Sequence, residues 1–505
     1  MKKLLALLSA LILCTTLGGS PALAKGDTLT VALVQTVKTL DPQTTTAGFM
    51  YTVMIHISET LFTIEKGEII PLLAESWELK DDGVTYVIKL KKGVKFHNGE
   101  VMTADDVVYS FERSKSNIAL AVKAQSMFLK EVKKIDDHTV VLTTTTPMGE
   151  VFLGSLTHPW STIYNKNATE ALGLDYGQHP VGTGKYTLKR MMVGDRVELE
   201  RFDEYHGAKA AFKNLIFRTI VEGTSRTIEL ESGAVDVAVD FSPVDMGRIT
   251  DNPNLEVVQV PSFRHYHMGF DVTKAPYDNP KVREAINIAI NRPGIIKVVF
   301  RGLAEPARGP MPSGIMFSRY AESPDFPFDP ARARELLKEA GFPNGFKAEL
   351  IVAERSDYQG VGTVVQNNLK EIGIDTAISI VESGSLNDVI VKPKHEPFLY
   401  IWGGNVPTPD PFFFLTPLFH SKTIGTTNRY YYNDPELDVL LDKGVSTLER
   451  AERSAIYGQI WDHLNRTLPQ VAILAPMNLY GKAKNLKGIE FSPTVINYFG
   501  NAYFE

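Results

Sequence analysis

Two histidines spaced two apart are the first residues that could do chemistry. His265 and His267 would face the same side of a strand, which suits a metal pair or, more plainly, two polar strand residues near a surface. Gly182-Thr183-Gly184-Lys185 looks superficially like a phosphate loop. It lacks the glycine five residues before Gly184, and Tyr186 stands where a magnesium-binding hydroxyl belongs. It reads better as a glycine turn leading into a strand from Tyr186 to Leu188. Arg355 offers a planar guanidinium fork, which fixes a carboxylate by two parallel N–H···O bonds. Its plainer reading is an ordinary surface ion-pair partner. Trp402 could stack on a ligand, or could be core at the end of an apolar strand. No Gly-x-Ser-x-Gly elbow, His-Glu-x-x-His helix or paired-cysteine site occurs, so no activated nucleophile or metal cage is legible and no turnover is expected.

Arg355 and Trp402 lie in a stretch that reads as β-α-β. Residues 348 to 353 form an apolar strand, and a loop is expected over Glu354 to Val361. A helix then carries Val365, Leu369 and Ile372 and stops at Gly373. Ile374, Thr376, Ile378 and Ile380 alternate as a second strand, and Phe398 to Trp402 make a third. This pattern predicts parallel pairing, and ligands of open α/β sheets bind beyond the carboxyl ends of strands. Arg355 and Asn405 both sit just past such ends. Elsewhere, Leu29 to Val34 reads as a strand. Val84, Tyr86, Ile88 and Leu90 alternate after the turn Asp81-Asp82-Gly83. Thr103 and Asp106 have capping-box spacing, and Asn279-Pro280, Asp329-Pro330 and Asp434-Pro435 each announce a helix.

The chain has 505 residues, 44% apolar and 22% charged, which is globular and long enough for several domains. A net charge of −6 argues against a dedicated nucleic-acid binder. With one cysteine, intramolecular disulfides and thiolate zinc sites are excluded. Lys2 and Lys3 precede an apolar run from Leu4 to Leu13, and Ala22-Leu23-Ala24 supplies a cleavage site. Residues 1–24 therefore read as a secretory signal peptide, with a soluble mature chain starting at Lys25 outside the cytoplasm. Cys14 is a poor lipid site because Leu13 precedes it.

Longer runs carry a resemblance. Leu73-Ala74-Glu75-Ser76-Trp77, Gly93-Val94-Lys95-Phe96-His97-Asn98-Gly99 and Thr103-Ala104-Asp105-Asp106-Val107-Val108-Tyr109-Ser110 resemble the peptide/nickel class of extracellular solute-binding proteins. These are the receptors that deliver ligand to ABC importers. The similarity continues through Pro180 to Gly184, Pro280 to Ala285, Ala333 to Phe342, Pro409 to Phe412 and Tyr432 to Asp438, in order along the mature chain.

The resemblance implies a periplasmic-binding-protein-like α/β fold: two hinged lobes with an additional domain inserted in the first. By position, the first lobe would comprise 25–68, 180–262 and 486–505. The insertion would be 69–179 and the second lobe 263–485. It further implies no cofactor, an ABC permease as partner, a monomeric state, and a short peptide or peptide-like carboxylate as ligand. A metal chelate is the alternative, using Arg355 with His265 or His267; an oligosaccharide is the third.

Carried over by position, Arg355 would clamp the ligand carboxylate, with Tyr358 beside it. An aspartate three residues after Trp402 would hold the ammonium, but Asn405 stands there and supplies no countercharge. Asp410 could substitute, unless Pro409-Asp410-Pro411 is only a rigid turn. Phe49, Arg264 and His265 complete the set of expected ligand contacts.

Overall fold

A short polar side chain followed by proline starts three helices, Pro280–Ala289, Pro330–Glu339 and Pro435–Ser446. In each, the preceding Asn or Asp caps the free N–H groups of the first turn, and proline occupies a position that needs no donor. The capping box at Thr103 and Asp106 likewise opens the helix Ala104–Ser114, where the Thr103 N–H reaches Asp106 Oδ2 at 2.9 Å. These features come from a computed structural model that describes residues 26–505 apart from Lys66, 117–120, 123–125, 383–384, 392–395, Asn405 and Pro407. The expected leader over residues 1–24 lies outside the described residues. Among those described, no helix is long and apolar enough to cross a membrane.

The strands expected between 347 and 402 form as Phe346–Ala353, Ile374–Val381 and Phe398–Gly404, with the first parallel to both others. The loop expected over Glu354 to Val361 is corrected. A helix runs over Ser356–Glu371, with Arg355 at its N-cap position. Tyr358, Val361, Val365 and Leu369 recur at spacings of three and four and are all buried, so the apolar face begins about two turns earlier than expected. Burying each such side chain stabilises by roughly 1.5–3 kcal/mol, enough to override loop-forming Ser356 and Asp357. Gly362 lets this helix sit close to its strand, since a Cβ there would meet Val352 Cγ1 at 2.7 Å.

Among the described residues these strands belong to a twelve-stranded mixed sheet organised around one long strand, Val471–Ala483. Its first half pairs with His265–Gly269 and Ala304–Pro306; its second half pairs with Leu255–Pro261 and Val237–Val239. Two lobes therefore share one strand. The return crossing runs from Pro261 to His265, beside Met477 and Pro476. Pro476 has no N–H to give the ladder, so the lobes join where pairing is weakest.

Separate buried clusters underlie the parts. One of them gathers Met268, Ile286, Leu350, Val365, Leu399 and Trp461 in the second lobe. Another gathers Leu29, Val31, Phe217, Tyr480 and Phe499 in the first. The inserted domain has its own core under a four-stranded antiparallel sheet, with Tyr86, Ile88 and Leu90 facing inward as their alternation predicts. It is fastened to the first lobe by the buried pair Arg113–Asp41 at 2.6 Å, with Tyr164 donating to the same carboxylate.

Candidate functional site

The carboxyl ends of Phe346–Ala353 and Phe398–Gly404 meet the start of His265–Gly269 at one edge of the second lobe, next to the crossing strands. The turn at the end of the first strand puts Arg355, Asp357 and Tyr358 at the head of the following helix. The antiparallel partner contributes Arg264 and Tyr266. Asp357 is the hub. Arg355 grips it with two hydrogen bonds, Nε to Oδ1 at 3.1 Å and Nη2 to Oδ2 at 2.7 Å. Tyr266 donates its hydroxyl to Oδ2, and Arg264 Nη2 stands at 3.4 Å. Partial burial raises the Asp357 pKa, but the Arg355 and Tyr266 hydrogen bonds and the two guanidinium charges outweigh it and hold the carboxyl below the usual range.

Two guanidinium groups thus meet one carboxylate, leaving one excess positive charge at this edge. The Arg355 side chain remains 50% exposed, so it is held in direction yet open to solvent. Arg264 and Arg355 both lie over the Tyr358 ring, at 5.7 and 5.5 Å from its centre. Tyr358 in turn accepts the Gly403 N–H at 3.0 Å and donates to the Gly403 carbonyl at 3.2 Å. Glycine is needed at 403, because a Cβ would meet Tyr358 Oη at 2.7 Å and Arg264 Nε at 3.2 Å. The surface is therefore a rigid, aromatic-backed cationic platform. It can bind an anion, but it presents no activated nucleophile.

On the other face of the same strands, Trp402 is half-buried, with the Arg429 guanidinium 4.0 Å above its ring. Arg429 is oriented by Asn387, Nε to Oδ1 at 2.6 Å. His265 and His267 do face one side, as their spacing predicts, and they hydrogen-bond to each other at 2.9 Å. The Tyr430 hydroxyl donates to Gln470 Oε1 at 2.6 Å and so accepts from His267 Nε2 at 2.7 Å. His267 Nδ1 then accepts from His265 Nε2, which assigns both tautomers. Burial pushes the His265 pKa down to about 3 and that of His267 well below its usual value. Neutral, buried and bonded to each other, the rings would have to separate before both could ligate one metal. Among the described residues no group of three or more His, Cys, Asp or Glu could hold an ion.

Asp410 lies apart from the cationic platform. Both of its oxygens face the Arg453 guanidinium, at 2.7 and 2.8 Å, and Oδ1 also caps the helix Pro411–Phe419. Its carboxylate is satisfied within the fold, and Pro411 follows it at the helix start as in the other three cases. Phe49 lies on the first-lobe helix Gly48–Met54, half-buried against that lobe's core. Asn405 lies outside the described residues.

Arg355, Tyr358 and Arg264 are thus brought together, while Trp402 and His265 lie on the opposite face. Asp357 and Tyr266 escaped the sequence reading, although an acid two residues from Arg355 was a visible signal. Asp240 escaped it entirely. It follows the first-lobe strand Val237–Val239 and lies near enough to Arg264 and Arg355 for both to lower its pKa, against a larger rise from desolvation.

Residues 68–426 match the family described as bacterial extracellular solute-binding proteins, family 5 Middle. A glutathione-binding protein from Pectobacterium atrosepticum is 32% identical over 494 residues, covering 96% of this chain and 95% of its own length. One of the same name from Escherichia coli O157:H7 is 32% identical over 496 residues, covering 96% of both chains. Among solved structures, HbpA2 from Haemophilus parasuis superposes with a TM-score of 0.87 at 25% identity, covering 95% of this chain and 100% of that one. The periplasmic binding protein DppA from Helicobacter pylori, in complex with the peptide STSA, gives 0.78 at 27% identity, covering 95% and 98%. The fold is common to these solved structures, and the chain belongs to the family 5 bacterial extracellular solute-binding proteins, the substrate-binding components of ABC importers.

Proposed function

We propose that this receptor captures a short peptide through its terminal charges and presents it to the permease without chemically altering it. The observation that carries this reading is the excess positive charge at Arg264 and Arg355, held open and braced on Tyr358. A peptide carboxylate suits it because a guanidinium fork binds such a group directionally. Glutathione is the first ligand to try, given the names of the relatives at 32% identity; the peptide held by the Helicobacter pylori protein supports the wider class. Ligand touching both lobes would favour the closed form, because only differential contact shifts a conformational equilibrium.

We assign 25–68, 180–262 and 486–505 to the first lobe, 69–179 to the insertion and 263–485 to the second lobe, with the strand Val471–Ala483 shared. We also assign residues 1–24 to a cleaved leader and the working site to the periplasm. Calorimetry and thermal shift with reduced glutathione, trialanine, chelated nickel and simple organic acids test the ligand class. Saturable binding of a peptide, with no change in the peptide by mass spectrometry, is expected. Binding of chelated nickel alone, or turnover of the peptide, would overturn the reading.

A further inference from the structure

We propose that Asp240, from the first lobe, is the anchor for the ligand's ammonium group. The inference rests on the peptide reading above and adds the second pole of the site. A peptide zwitterion needs a carboxylate for its amine, and the two second-lobe aspartates weighed for the site are already engaged. Asp357 is bound by Arg355, Arg264 and Tyr266, and both oxygens of Asp410 belong to Arg453. The Asp240 carboxylate makes no hydrogen bond to a described residue; the residue remains exposed, although its surroundings partly desolvate the carboxyl.

Its backbone, in contrast, is clamped. The Asp240 N–H donates to the Leu479 carbonyl of the shared strand at 2.7 Å. Its own carbonyl accepts from Arg226, which is buried and also binds the carbonyls of Ile220 at 2.6 Å and Val221 at 2.8 Å. Asp240 is held at φ 52°, in the left-handed region that non-glycine residues seldom occupy. Such a conformation persists only where surrounding structure enforces it. Here Arg226 and the shared strand do so, and the following Phe241 is locked in the core. The result is a free carboxylate on a fixed stem, beside the hinge, within electrostatic reach of Arg264 and Arg355 on the other lobe. A ligand with its carboxylate on the arginines and its amine on Asp240 would bridge the lobes.

The test compares trialanine and reduced glutathione with their N-acetylated forms, titrated into the wild type and Asp240→Asn. Asparagine tolerates the left-handed backbone well, so the substitution removes charge while leaving the stem in place. Should Asp240→Asn fold poorly by thermal melting, Asp240→Gly accepts the same backbone and serves instead. The wild type should prefer the free amine by at least tenfold. The variant should lose that preference while holding the acetylated peptide within about threefold of wild type. A free-amine preference that survives in the variant would assign the ammonium elsewhere and overturn the proposal, leaving peptide binding intact. So would a wild type indifferent to acetylation. Tighter binding of all four probes to the variant would mean that Asp240 merely neutralises the empty cleft, which also overturns it. If wild type binds none of the four, both this inference and the peptide reading fall.

Discussion

Asp410–Arg453 and Arg355–Asp357 are both arginine–aspartate pairs bound through two contacts, yet they do opposite work. At the first, the side chains are 8% and 4% exposed, the carboxylate also caps a helix, and Arg453 Nε is bound by the Gly444 carbonyl at 2.7 Å. Every polar group has a partner and the charges balance. At the second, Arg355 is 50% exposed and Arg264 adds a further cation, so one positive charge is left over. A buried, balanced pair specifies how helices pack; a half-open, unbalanced one attracts a ligand. Pair geometry alone does not separate the two. Solvent access and local charge balance do.

The largest effect should come from the balanced side. Asp410→Asn leaves Arg453 buried without its countercharge, which should cost about 3–5 kcal/mol in urea denaturation. Affinity for peptide, measured where the variant is still folded, should stay near wild type. A variant of normal stability that had lost binding would reverse the assignment of the two pairs.

Next comes acid. Folding pulls the imidazoles of His265 and His267 below their usual value near 6.5, so the unfolded chain binds more protons as pH falls. Stability should be complete above about pH 6.5 and should drop as pH falls towards 3, by up to about 1.4 kcal/mol per unit for each ring. His56, His97 and His158, also buried and shifted down to about 3, 4 and 4, act in the same direction. Urea midpoints between pH 7.5 and 4.5 check this. A flat profile would mean that these rings are solvated.

Smaller still is the cleft. Arg355→Ala should weaken peptide binding by about 1.5 kcal/mol, near tenfold, because half of the side chain is already in water. The melting temperature should scarcely move, since Arg355 is half exposed and Asp357 keeps its contacts with Tyr266 and Arg264. Unchanged calorimetric affinity would remove Arg355 from the site. The smallest effect should be salt. Raising NaCl from 50 to 500 mM should weaken peptide binding to the half-open cations by a few-fold. The same change should leave the stability difference between wild type and Asp410→Asn almost untouched, because buried charges are poorly screened.

The sequence by itself determined the local structure. Helix starts at Asn279, Asp329 and Asp434, the capping box at Thr103 and the alternation from Tyr86 to Leu90 follow from backbone chemistry a few residues long. So does the placing of Arg355 beyond a strand end. The helix start at Ser356 was misplaced because packing of Tyr358 and Val361 against the sheet overrides the local preference of Ser356 and Asp357 for a loop. Tertiary structure alone decided which charges are free. Asp410 carries no local sign of Arg453, forty-three residues on, and Asp240 none of Arg264 across the hinge. Ionic roles depend on distances, solvent and net charge among residues far apart in the chain, and short-range sequence patterns encode none of these.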